Sequence, residues 1–244
     1  MRATVGLAVL LGACGFGIGA VDERVTDAAP ADAAAIDAPP DAPGPPIANL
    51  QVAAHFEDNV AMVSCTYGKP QTAGNVNLVV VSWSSGTNDV ASVTDTAGNT
   101  YTKVPLLISG AYSLRLFYAQ NIVASASNRV TASFAQAMPF PKLRISEYAG
   151  LATANLYERG VTSAGTGTTQ MAGPVTTTTP HALLFAPDVY NGSSMPVAPF
   201  AGVDFSDGDL IEAYEVTTPG TYTATASGSA STNWVMMLAV LRGR

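Results

Sequence analysis

The sequence predicts an all-β fold for residues 47–244: two antiparallel sheets packed face to face as a β-sandwich of jelly-roll-like topology. Three observations carry that expectation. Short Val-, Thr-, Tyr- and Phe-rich segments are separated by Gly, Pro, Asn and Asp clusters at close intervals, the texture of strands joined by turns. In "NVNLVVVSW" the run Leu78–Val81 is continuously apolar, as a central strand covered on both faces requires. "SLRLFYAQ" and "NRVTASF" instead alternate apolar with polar residues, as strands with one face on the core do. A unit of this length buries about 70% of its unfolded surface on folding, so one core suffices without disulfides.

The chain opens on "MRATVGLAVLLGAC", with Arg2 followed by an apolar run from Val5 to Leu11, the layout of a bacterial export signal over residues 1–13. That run is too short to span a bilayer, which takes about 20 apolar residues. Leu11-Gly12-Ala13-Cys14 resembles the lipobox of bacterial lipoproteins, in which the peptide is cut before a Cys that then carries lipid. The resemblance implies lipid attachment at Cys14 and a chain held at a membrane surface without crossing it. With Gly15 where inner-membrane retention uses Asp, it also implies sorting to the outer membrane.

Residues 14–46 follow as a linker of Ala, Asp and Pro, with Asp27, Asp32 and Asp37 five apart and Asp41 close behind. A period of five fits neither helix nor strand. So little apolar surface cannot offset the entropy of ordering, so a disordered spacer is predicted. Residues 1–46 hold six of the eighteen carboxylates and two of the eleven basic residues, hence four of the seven net negative charges. The remainder is mildly acidic, which argues against a nucleic-acid partner.

Within the folded part, "VASVTDTAGNTYTKV" over 90–104 predicts a hairpin whose turn uses Gly98 and Asn99. Pro219-Gly220 predicts a second turn, and "NWVMMLAVLR" a closing central strand. Cys65, in an apolar run, is expected to be a small buried hydrophobe. The strings "SVTDTAGNTYTKV", "LRLFYAQNIVASASNRVTASF", "PFPKLRISEYAGL", "TTTTPHALLFA" and "PGTYTATASGSASTNWVMMLAVLR" follow one another in the order of a recurrent β-sandwich module of bacterial secreted and cell-surface proteins. The chain resembles that module over most of 75–241. The resemblance implies fold and surface location, with no established activity.

No G-x-S-x-G elbow, H-E-x-x-H or G-x-x-x-x-G-K occurs. His55 and His181 lie in no catalytic pattern, and no cofactor is expected. Three chemistries have candidates. Exposed aromatic rings stack on sugars, and Tyr112, Tyr190, Phe200 and Phe205 lie in or beside loops, whereas Trp83 and Trp234 lie in apolar strands and are expected in the core. Glycosidases need paired carboxylates about 5–9 Å apart, and Glu147 with Glu212 or Glu215 could supply them. The acidic turn "DFSDGD" offers Asp204, Asp207 and Asp209 to Ca²⁺, without EF-hand spacing. The expectation is a surface-displayed binding or adhesion module for a glycan or another surface protein. A polysaccharide hydrolase and a structural envelope component are the alternatives.

Overall fold

The computed structural model describes residues 44–244 apart from residues 87, 109 and 110. The export signal, Cys14 and the linker up to residue 43 lie outside the described residues.

Eight strands build the first region: β1 (Ala48–Phe56), β2 (Val60–Thr66), β3 (Val76–Trp83), β4 (Val90–Asp95), β5 (Thr102–Ile108), β6 (Ser113–Gln120), β7 (Arg129–Met138) and β8 (Lys142–Ala149). Six build the second: β9 (Tyr157–Thr177), β10 (Ala182–Tyr190), β11 (Ser194–Pro196), β12 (Ala201–Asp204), β13 (Ile211–Val216) and β14 (Gly220–Arg242). Among the described residues the one helical element is a 3₁₀ turn, Ser206–Gly208.

In the first region a five-stranded antiparallel sheet, β1-β8-β3-β6-β5, faces a three-stranded sheet, β2-β7-β4. The pairing of strands one, eight, three and six against two, seven and four is jelly-roll order. β3 is buried along its whole length between β8 and β6, as its apolar run predicts. Its two faces feed two cores. Val79, Val81 and Trp83 pack with Val63, Val130 and Phe134 of the smaller sheet, while Val76, Leu78 and Val80 pack on the second region.

β4 and β5 form no hairpin. β4 pairs with β7 and β5 with β6, so the 95–99 turn carries the chain from one sheet to the other. The turn itself is as expected, with Gly98 at φ +78°. What redirects the chain is Asp95. Its carboxylate accepts the Asn99 N–H at 2.9 Å, Asn99 Nδ2 at 2.8 Å, the Tyr101 hydroxyl at 2.9 Å and Asn128 Nδ2 at 2.8 Å. These bonds tie the turn to the start of β7 instead of closing it on β4.

The second region is one coiled sheet, β11-β14-β10-β13-β12, with β9 along the other side of β14. The apolar segment 233–242 lies at its centre, between β10 and β9, as the sequence predicts. β9 and β14 pair over almost their full length, interrupted between Ser227 and Thr232. Beyond that interruption the two strands fold over the sheet's outer face. Ala172, Val175, Ala224 and Ala226 of the folded-over part pack on Leu184, Ala186, Met236 and Leu238 in a third core. The Pro219-Gly220 turn therefore leads from β13 into the folded-over part and not into a neighbouring strand. The sandwich predicted from sequence thus has a further sheet, packed on the five-stranded one through Leu114, Leu116, Phe185 and Met237.

Candidate ligand-binding site

At one end of the stack the sheets part and leave a cleft of about 430 Å³. Its walls come from the end of β3 (Ser82, Trp83, Ser84), Tyr112 before β6, the β7–β8 link, the end of β10 and the acidic turn before β13. The β7–β8 link is Pro139-Phe140-Pro141. Phe140 holds φ +48°, an outlier for a bulky residue, and the residue is 60% exposed at the cleft. Backbone bonds clamp both sides of it: Ser84 N–H donates to the Pro139 carbonyl at 3.0 Å and Glu57 N–H to the Pro141 carbonyl at 3.2 Å. With its neighbours fixed, Phe140 can only point outward.

The cleft's charged groups come next along the chain. The Lys142 ammonium, nearly buried, donates to Asp207 Oδ2 and Asp209 Oδ2, each at 2.7 Å. Asp209 also accepts the Tyr190 N–H at 2.9 Å. Gly208, at φ +81°, lies so close to the Gly192 carbonyl that a Cβ would sit 1.9 Å from it, which packs the acidic turn on the loop bearing Asn191. Counting the lining side chains, one lysine against two aspartates leaves one net negative charge.

This arrangement revises the calcium candidates. Lys142 already stands between Asp207 and Asp209, and Asp204 accepts the Ser206 hydroxyl at 2.6 Å. Among the described residues no group of three or more His, Cys, Asp or Glu side chains is placed to hold a metal ion.

The four aromatic candidates separate. Tyr112 and Tyr190 line the cleft, although Tyr190 is buried and its hydroxyl donates to the Ala230 carbonyl. Phe200 is buried against Tyr214, and Phe205 is exposed outside the cleft, its ring against Gly202. Trp83 and Trp234 are core residues. Phe140 and Lys142 were not anticipated; the two prolines flanking a large apolar residue were the available signal for Phe140.

The carboxylates considered for glycoside hydrolysis are not brought together. Glu147 shares a face of β8 with Leu143 and Ile145 and looks toward the three-stranded sheet. It is buried and saturated by donors: Gln51 Nε2 at 2.6 Å, Asn75 Nδ2 at 2.7 Å and the Thr72 N–H at 3.1 Å. Glu212 lies in the other region, on the face of β13 shared with Tyr214 and Val216, which looks into the third core. Both the five-stranded sheet and the coiled sheet separate the two, and stacked sheets lie about 10 Å apart. Glu215 faces the opposite way from Glu212 and accepts His181 Nε2 at 2.8 Å and the Ile47 N–H at 3.1 Å.

Glu212 has its own character. Neither carboxylate oxygen has a hydrogen-bond partner among the described residues, and burial, reinforced by the Asp188 carboxylate, pushes its pKa to about 8. The nearby Val197 N–H, which donates to the Thr225 carbonyl, offsets part of this. Asp188 is raised to about 7 by burial, against the Ser194 hydroxyl at 2.6 Å and the Leu210 N–H at 2.6 Å. Arg144, buried between the sheets, donates to the Asp188 backbone carbonyl at 2.6 Å. Burial raises the Cys65 thiol to about 11, so the thiolate that would make it a nucleophile is suppressed.

A second cavity, about 780 Å³, lies beside His181, Glu215, Arg244 and the first described residues, Gly44 and Pro46. Burial by itself lowers the His181 pKa, but the Glu215 carboxylate and the Arg244 carbonyl outweigh it and raise the imidazole above 6.5. Among the described residues no Phe, Tyr or Trp lines this cavity, so it lacks the stacking surface of the first. His55 lies at the surface with Glu57 at 2.8 Å.

The chain matches no protein-family model, no curated protein and no solved structure, so its function is read from its own residues.

Proposed function

We propose that this chain is a surface-displayed lipoprotein, lipid-anchored through Cys14 at the outer membrane, whose β-sandwich binds a glycan in the cleft at Phe140. The observation that carries the reading is Phe140 itself. A large ring held outward in a left-handed backbone conformation costs about 1–2 kcal/mol, and such strain persists where it serves a site. Around it stand the groups that recognise a polyhydroxylated ligand: the Tyr112 ring, the Ser82 and Ser84 hydroxyls, the Asn191 amide and the Lys142–Asp207–Asp209 cluster. An apolar platform with a few convergent polar groups is the usual composition of a small-ligand site.

The test is thermal unfolding of the full chain against a panel of polysaccharides. A ligand at a hundred times its dissociation constant adds about 2.7 kcal/mol, which moves the midpoint by roughly 5–10 °C. Phe140→Ala should remove that shift while leaving the unliganded midpoint unchanged or higher. A shift that survives Phe140→Ala would place the ligand elsewhere. The anchor is tested separately: metabolic labelling with a fatty acid should label the wild type and fail with Cys14→Ala.

A further inference from the structure

Tyr112 lines two cavities. Besides the 430 Å³ cleft, it borders a hollow of about 180 Å³ whose far wall is the β9–β14 pair at Ala164, Asn233 and Val235. Asn233 and Val235, alternate residues of β14, share the face that looks toward Tyr112, and Val235 belongs to the core between the regions. Asn233 is exposed, and its Oδ1 accepts the Thr166 hydroxyl at 2.8 Å, which leaves Nδ2 as the donor on that wall. The hollow contains no charged side chain, whereas the cleft carries a net negative charge.

Resting on the glycan reading above, we propose that the site continues past Tyr112 and that its ligand is an internal stretch of a linear, uncharged polysaccharide. One unit stacks at Phe140 and Tyr112, and the chain runs over Tyr112 so that a further unit meets Asn233. Two hollows joined at one aromatic ring suit a polymer, because a single sugar would leave one of them without a ligand. The net negative charge of the cleft disfavours uronates and sulfated glycans, since like charge costs attraction at close range and slows encounter. The uncharged second hollow offers an anion no compensating cation.

The experiment is calorimetric titration of the full chain with cello-, malto- and chito-oligosaccharides of two to six units, and with oligogalacturonates as the anionic counterpart. In the neutral series that binds, affinity should rise about tenfold as the chain lengthens beyond the units held at Phe140, then level off. Asn233→Ala should remove that rise and leave the affinity for the shortest ligand unchanged. It is a surface change in a strand, and an unaltered unfolding midpoint checks that the fold is intact. Binding that depends on Phe140 but not on length overturns this inference and spares the glycan reading, as does a preference for the oligogalacturonates. No binding by any series overturns both.

Discussion

Each half of the molecule buries a glutamate, and the two are treated in opposite ways. In the jelly-roll half, Glu147 meets three donors from two different segments, Gln51 on β1 and Thr72 and Asn75 from the β2–β3 connection. In the coiled half, Glu212 has no hydrogen-bond partner among the described residues, only the Val197 N–H nearby, and a second acid, Asp188, lies close by. A carboxylate ringed by donors ties their segments together, whereas one buried without them takes up a proton. The first carboxylate therefore fastens loops, while the second makes the fold sensitive to pH. Neither has the exposure that a catalytic carboxylate acting on a polysaccharide would need.

Removing the fastened acid should have the largest effect. Glu147→Leu strands Gln51 Nε2, Asn75 Nδ2 and the Thr72 N–H, and the expected loss is about 3–5 kcal/mol in urea unfolding, with an unchanged slope. Glu147→Gln keeps the shape but turns an amide donor toward donors, and about 1–2 kcal/mol should be lost. A loss below that would mean that the donors find water or other partners.

The unpaired acid predicts the opposite sign. Asp188 and Glu212 have folded pKa values of about 7 and about 8, above their ordinary 3.8 and 4.5, so between about pH 4 and 8 the native state holds more protons than the unfolded state. Stability must then fall as pH rises through that window. Glu212→Gln cannot ionise. Its unfolding free energy should match the wild type near pH 4 and exceed it increasingly toward pH 8, by ~2 kcal/mol at the top of the range. Parallel midpoint curves for the two proteins would show that Glu212 ionises freely in the fold.

Phe140 belongs to neither acid but tests which half carries strain for function. Phe140→Gly should raise stability by about 1 kcal/mol, because glycine takes φ +48° without the Cβ penalty, and should abolish ligand binding. The smallest effect lies at His181. Its pKa is raised above 6.5, so its contact with Glu215 stabilises fully below pH 6.5 and is lost as pH rises through the folded value. His181→Gln should therefore cost about 0.5 kcal/mol at pH 5.5 and nothing at pH 9, as midpoints at the two pH values would show.

Much of the fold was legible because it is local chemistry. The continuous apolar run of β3, the alternation in β7 and the turn at Gly98 follow from side-chain pattern and backbone freedom, which neighbouring residues set. β6 was less legible. It alternates in sequence, yet both its faces are covered, Leu114 and Leu116 by the second region and Phe117 by the three-stranded sheet. The site was legible in part. Tyr112 and Tyr190 stood out as loop aromatics, but equally aromatic Phe200 is buried, since a ring's exposure depends on what folds over it.

By itself, then, the sequence determined that the chain is built of antiparallel strands, that it turns at Gly98 and before Gly220, and that the apolar runs of β3 and β14 lie at sheet centres. Hydrophobic period and turn residues encode those facts within a few positions of each strand. The tertiary structure alone decided the partners. It sent β5 to β6 instead of β4, folded β9 and β14 over their own sheet, and set Lys142 against Asp209, 67 residues away, in the acidic turn where calcium had been one candidate. Such pairings depend on how distant segments compete for the same donors, edges and apolar faces, and no local pattern records the outcome of that competition.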